Sequence, residues 1–167
     1  DGSTKEFEGV ATGFDVAMSI SEGLARAAVS VEVDGEHRDL SRPLQDGSVV
    51  KILTLRDNEG LEIFRHSSAH IMALAVKRLF PEVKLAIGPV IENGFYYDFD
   101  NISLKNEDFE AIEKEMQKIA SEKLVFERSV LTKNEALEAF KDEPYKIELI
   151  TDLADTETIT CYKIGEF

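Results

Sequence analysis

Leu61-Glu62-Ile63-Phe64-Arg65-His66-Ser67-Ser68-Ala69-His70-Ile71-Met72-Ala73-Leu74-Ala75-Val76-Lys77-Arg78-Leu79-Phe80 is the stretch on which the fold turns. Its apolar positions Ile63, Phe64, Ile71, Leu74, Ala75 and Leu79 recur at helical spacing, and Pro81 stands where the helix must stop, which predicts a helix over 61–80. His66 and His70, four residues apart, project from one face of that helix, and Ala69 and Ala73 leave room beside them. Imidazole titrates near neutral pH. Such a pair can bind a metal, or one ring can take a proton from water while the other donates a hydrogen bond. Spacing alone also allows a pair of satisfied surface or half-buried histidines. A metalloprotease motif is excluded, because it needs Glu directly after the first histidine and Ser67 stands there. Zinc would need a third and usually a fourth ligand, and the one soft candidate, Cys161, lies far along the chain in a predicted strand. No metal ligand is assigned on this reading.

Around that helix the chain reads as two units. Residues 1–60 begin with a strand at Glu6–Val10 and a capped helix start at Thr12, with Asp15 three positions on and Val16, Ala17 and Ile20 as the apolar face. Ser30-Val31-Glu32-Val33 alternates as a half-buried strand, Asp34-Gly35 signals a hairpin, and Val49 to Leu55 forms a more buried strand after the turn at Asp46-Gly47. This order suits a small α+β fold of the ubiquitin-like (β-grasp) kind. The polar run Arg56-Asp57-Asn58-Glu59-Gly60 marks the boundary, which puts the second unit at 61–167.

In the second unit, Phe109, Ile112, Met116 and Ile119 predict an amphipathic helix over 107–124, and Lys133–Phe140 predicts a third helix. Ala86–Val90 and Gly94–Phe99 read as strands about a turn at Glu92-Asn93-Gly94, and Lys146–Ile150 and Thr158–Lys163 as further strands. Cys161 reads as a small core residue, His37 as a surface residue beside its turn, and Lys146 as a salt-bridged surface lysine at a strand start.

The formal net charge of −14 over 167 residues argues against a broad nucleic-acid surface, because phosphate binding relies on Lys and Arg displacing counterions. The basic residues Lys77, Arg78 and Lys84 leave room for docking of a short single-stranded end, or simply form a solvated helix face. A single cysteine cannot form an internal disulfide and fits a reducing compartment. No stretch approaches the roughly 18 to 20 apolar residues of a membrane span, and the acidic start lacks a signal peptide's basic n-region. A cytoplasmic protein with no membrane partner is expected.

Taken together, His66-Ser67-Ser68-Ala69-His70, Ala86-Ile87-Gly88-Pro89 and Gly94-Phe95-Tyr96-Tyr97-Asp98-Phe99 resemble the editing domain of bacterial-type threonyl-tRNA synthetases. Asp34-Gly35, Asp39-Leu40, Asp46-Gly47-Ser48 and Gly60-Leu61 are similar to the TGS domain and junction that precede it. The resemblance implies hydrolysis of serine wrongly attached to threonine tRNA, with the correct threonyl ester spared. It also implies that His66 and His70 face the scissile ester, that Tyr97 lines the pocket, and that Lys146 contacts the terminal adenosine or the attacking water. The partners implied are the tRNA(Thr) 3′ end carrying serine and the remaining domains of the synthetase. In the family an Asp-Leu-Cys-x-Gly-Pro-His-like segment follows the run 161–167 and adds an acid, a cysteine and a histidine to the site. Cys161 does not take that cysteine's role. The expectation is a fragment truncated within its editing domain, without cofactor, the parent's ATP, magnesium and zinc belonging to an absent catalytic core. Two other functions remain open: a non-catalytic module that holds the tRNA 3′ end or a partner domain, and a zinc-dependent editing domain of the alanyl-tRNA type.

Overall fold

The computed structural model describes residues 2–167. The chain divides into two compact units, the first ending at Arg65 and the second running from His66 to Phe167. Both mix helices with short antiparallel ladders, as expected for an α+β protein.

The first unit opens with α1 (Gly13–Ile20), and its start is the expected capping box: the Thr12 amide donates to Asp15 Oδ2 at 2.9 Å while the Asp15 amide donates to Thr12 Oγ1. α2 (Glu22–Ala27) follows directly, capped by Ser21, whose Oγ accepts the Leu24 amide at 3.0 Å. β1 (Ala28–Val33) then lies between β2 (Glu36–Arg38) and β3 (Val50–Thr54), antiparallel to both. The hairpin joining β1 to β2 turns on Asp34 and Gly35, both with positive φ, the geometry that a two-residue primed turn demands. Asp34 does a second job there, since its Oδ1 accepts the Val49 amide at 2.8 Å and ties the approach to β3 onto the turn. Ala17, Ala25, Val31, Val33 and Leu53 close the core. Gly13 is needed at the α1 contact, because a Cβ there would lie 2.8 Å from a Val31 methyl.

Two expectations for this unit are corrected. Glu6–Val10 forms no ladder; the chain bends at Gly9, whose φ is +87°, and leaves Val10 76% exposed. Ile20 is not on the inner face of α1 but 55% exposed, at the end of the helix where the chain turns into Ser21.

α3 (Asn58–Leu79) is the long histidine-bearing helix, and it begins three residues earlier than its apolar periodicity suggested. Polar residues suit a first helical turn, and local hydrogen bonds fix this one. Asp57 Oδ2 accepts the Thr54 amide at 2.8 Å and the Thr54 hydroxyl at 3.0 Å, and the Leu61 amide donates to the Asp57 carbonyl. Gly60 packs so tightly on the Thr54 carbonyl that no Cβ fits.

In the second unit the α3 residues Ala73, Leu74, Ala75 and Val76 meet Val83, Leu85, Ile112, Ile119 and Ile164 in one core. α4 (Asn106–Glu122) occupies the predicted span and is fastened to α3 by Arg78, whose two terminal nitrogens grip Glu122 at 2.7 and 2.9 Å. The segment 84–100 folds back on itself as an interrupted hairpin: β4 (Lys84–Leu85) pairs with β7 (Phe99–Asp100), and β5 (Val90–Ile91) with β6 (Gly94–Phe95). The two longer strands expected here, Ala86–Val90 and Gly94–Phe99, are interrupted at residues 86–89 and 96–98, and on the first of them Pro89 offers no N–H to a ladder. The Glu92-Asn93-Gly94 turn stands where predicted.

β8 (Phe126–Leu131), absent from the sequence reading, pairs over its whole length with β9 (Ile159–Ile164). α5 (Lys133–Ala139) lies where a helix was expected, with Thr132 and Glu135 in a capping box. Lys146–Ile150, expected as a strand, is instead part of α6 (Pro144–Asp152). Pro144 sits at the first helical position, where its missing N–H is harmless and its φ is already helical.

Candidate active site

The second unit contains a cavity of about 930 Å³ whose wall combines α3, α6, the Tyr97 loop and β9. All four site residues singled out in the sequence, His66, His70, Tyr97 and Lys146, line it. The two imidazoles meet Nε2 to Nε2 at 2.9 Å, with ring centroids 4.7 Å apart and planes inclined at 68°. At that separation one ring donates its Nε2–H and the other accepts, so the two tautomers are coupled: whichever ring carries its proton on Nε2, the other must carry it on Nδ1. His66 is exposed at the rim; His70 is half-buried and meets the edge of Phe126. Burial pushes His70 down to about 4, and the neighbouring His66 and Lys146 push in the same direction. At neutral pH His70 is therefore an uncharged imidazole with a lone pair to offer.

Lys146 corrects its expected setting. It is not a salt-bridged surface lysine at a strand start but stands in the first turn of α6, with Nζ 4.6 Å from the Phe140 ring centroid and 5.7 Å from that of Phe167. Burial draws its ammonium toward the neutral form, and Glu143 opposes that shift. Tyr97 stacks on Phe99 at 4.9 Å and is held in place from behind by Gly88, where any Cβ would run into its ring. Burial, followed by the nearby charge of Glu143, raises the Tyr97 phenol above its ordinary range, so it acts as a neutral hydroxyl.

Cys161 is likewise corrected. It is not a core residue but lies in the cavity wall, its thiol pushed up by partial burial and drawn down by Lys146. His37 is a surface residue as expected, 3.8 Å from Glu32. The basic group Lys77, Arg78 and Lys84 is committed internally: Lys77 to the Val83 carbonyl and Glu143, Arg78 to Glu115 and Glu122, and Lys84 to the Asp142 carbonyl. The sequence carries no motif for the aromatic side of the cavity, where Phe140 and Phe167 line the wall beneath Lys146 and Phe126 meets the His70 ring. Glu143, directly before the proline that starts α6, carries no sequence signal for a place in the cavity wall. Among the described residues no group of three or more His, Cys, Asp or Glu is arranged to hold a metal ion, and no helix is long and apolar enough to cross a membrane.

Residues 1–54 match the TGS domain family. The first unit contains a TGS domain. Over all of its length the chain is 49% identical to threonine–tRNA ligase of Desulfosudis oleivorans, covering 26% of that protein, and 54% identical to threonine–tRNA ligase of Clostridioides difficile, covering 27%. Threonine–tRNA ligase of Acetivibrio thermocellus is 51% identical, again over the whole chain and 27% of the relative. The chain thus spans about a quarter of the length of these curated relatives. It is a homologue of the N-terminal region of bacterial threonyl-tRNA synthetases.

Proposed function

We propose that the cavity of the second unit is part of a hydrolytic site that removes serine from wrongly charged tRNA(Thr), within a threonyl-tRNA synthetase acting in the cytoplasm. The observation that carries this reading is the convergence of a hydrogen-bonded, partly desolvated histidine pair with Lys146 and Tyr97 in one cavity. Ester hydrolysis needs a base for water and a positive or hydrogen-bonding group for the oxygen that gains charge. Neutral His70, paired with His66, supplies the first: it takes a proton from water as the oxygen of that water bonds to the ester carbon. Lys146 contacts the terminal adenosine or orients the attacking water. As the tetrahedral centre collapses, the ester C–O bond breaks, serine departs as its acid, and the tRNA 3′-oxygen recovers a proton.

The need for such a site follows from the substrates. Serine lacks one methyl of threonine, and a methyl supports only about 1–3 kcal/mol of discrimination, roughly 10- to 200-fold, in a synthetic pocket. A second pocket that admits serine and excludes the extra methyl, with Tyr97 in its wall, adds the missing accuracy by destroying the wrong product. The ligase reaction, with its ATP, magnesium and zinc, belongs in this reading to the rest of the synthetase.

The test is deacylation of Ser-tRNA(Thr) and Thr-tRNA(Thr), by the 167-residue chain and by the synthetase containing it. Selective loss of the seryl ester, abolished by His66→Ala, is expected. Equal hydrolysis by wild type and His66→Ala refutes the assignment, and tight binding of the tRNA end without any turnover in the synthetase marks a non-catalytic holding module instead.

A further inference from the structure

Among the groups lining the cavity, Glu143 has an anomaly that no hydrolytic role accounts for. It immediately precedes Pro144 and α6, yet its side chain does not cap that helix. Its Oε1 accepts a hydrogen bond of 3.3 Å from Lys77 Nζ, which gives its shorter bond, 2.8 Å, to the Val83 carbonyl. Its Oε2 is shut off from solvent and has no hydrogen-bond partner at all. One oxygen of this carboxylate has thus lost water without gaining a partner, a cost that native proteins keep where a ligand or a function compensates it.

The groups facing this carboxylate are Lys77 from α3, Lys146 from α6 and Tyr97 from the loop between β6 and β7. None of them satisfies Oε2. The other carboxylate lining the cavity, Glu166, is exposed, so water screens its attraction for a ligand. A cation that enters this cavity therefore gains most beside Glu143.

We infer that Glu143 is the specificity-determining group that receives the α-ammonium of an aminoacyl ester, the charge that separates an aminoacyl from a simple acyl substrate. The inference rests on the hydrolytic reading of the cavity and names what that site recognises. The final torsion of a glutamate side chain is broad, so a small rotation brings Oε2 to the ligand while Lys77 keeps hold of the carboxylate. Repulsion from Lys146 is reduced, since burial already draws that lysine toward its neutral form. Anchoring the ammonium at the start of α6 leaves the ester carbonyl free to face the histidines on α3.

The experiment is a calorimetric titration of the 167-residue chain with two non-hydrolysable ligands. One is the amide of serine with 3′-amino-3′-deoxyadenosine; the other is the matching glyceric-acid amide, in which a hydroxyl replaces the ammonium. Wild type is expected to bind the seryl amide roughly 10- to 100-fold more tightly, the range of a hydrogen bond to a charged group. Glu143→Gln is expected to lose that preference while binding the glyceryl amide as wild type does, which also shows that its pocket is intact. Lys77→Gln, which frees Oε1 as well, is expected to widen the preference.

An undiminished preference in Glu143→Gln overturns the inference and leaves the hydrolytic reading standing, because both ligands still bind. Equal affinity of wild type for the two ligands overturns it without recourse to any variant. Should Glu143→Gln fail to fold, an unchanged preference in Lys77→Gln overturns it. Binding of neither ligand by wild type brings down the hydrolytic reading and the inference together.

Discussion

Lowering the pH from 7 to 4 tests the electrostatics of the histidine pair directly. Folding takes His70 from an ordinary 6.5 to about 4, with burial as the largest cause and the charges of His66 and Lys146 adding to it. Between those two values the unfolded chain holds a proton that the native chain refuses, so stability rises with pH across that window. The contribution is therefore intact above 6.5 and drains away as the pH falls toward 4. At about 1.4 kcal/mol for each pH unit the ceiling is about 3 kcal/mol, and solvent screening of a half-buried ring reduces this to about 1–2 kcal/mol.

Two assays read this. Proton NMR of the ring Cε1–H signals should place the His70 midpoint far below that of a free imidazole, and His66→Ala should move it upward without restoring 6.5, because burial remains. Urea unfolding at a series of pH values should show wild type losing more stability than His70→Gln between pH 6.5 and 4. A His70 midpoint near 6.5, or identical pH slopes for the two proteins, refutes the reasoning, and with it the description of His70 as a desolvated neutral base.

Three further predictions follow from packing and reactivity. Gly60→Ala pushes a methyl into the Thr54 carbonyl, a backbone group with no easy escape, and should lower stability by about 1–3 kcal/mol in chemical unfolding. Gly88→Ala displaces the Tyr97 ring from its stack on Phe99, and should weaken binding of the seryl amide by more than its effect on melting temperature explains. Cys161, whose thiol is raised by burial, should react with iodoacetamide at pH 8 more slowly than a free thiol, and more slowly still with a ligand in the cavity. Modification at the rate of a free thiol, unaffected by ligand, contradicts the placement of Cys161 in the wall.

The parts of the fold visible in the sequence are those specified by local physics. Thr12 with Asp15 fixes a helix start through two reciprocal hydrogen bonds, Asp34-Gly35 supplies two positive φ values, and the α3 and α4 stripes repeat over enough turns to leave one solution. Local pattern misleads where a distant partner decides. Glu6–Val10 has strand-like residues, but a strand exists only with a neighbour to pair with, and β8 reads as polar because exposed residues dominate it until β9 returns to complete the ladder. Lys146–Ile150 alternates well enough for a strand, and the deciding residue lay just outside the segment: Pro144 opens a helix whose Ile150 reaches the core.

The helical setting of Lys146 bears on the site. As a strand residue, Lys146 would have Glu148 as its neighbour on the same face, two positions on, the arrangement of an ordinary salt-bridged surface lysine. As a residue in the first turn of α6, three positions after Glu143, it stands over Phe140 and Phe167 with the Glu143 carboxylate behind it. The histidine pair could be seen in the sequence because its geometry is internal to one helix. The lysine, the tyrosine and the glutamate acquire a common cavity only through contacts 27 to 80 residues apart along the chain. Motif likeness could name two of those three, and the third, Glu143, emerged only from an oxygen atom that the fold leaves without a partner.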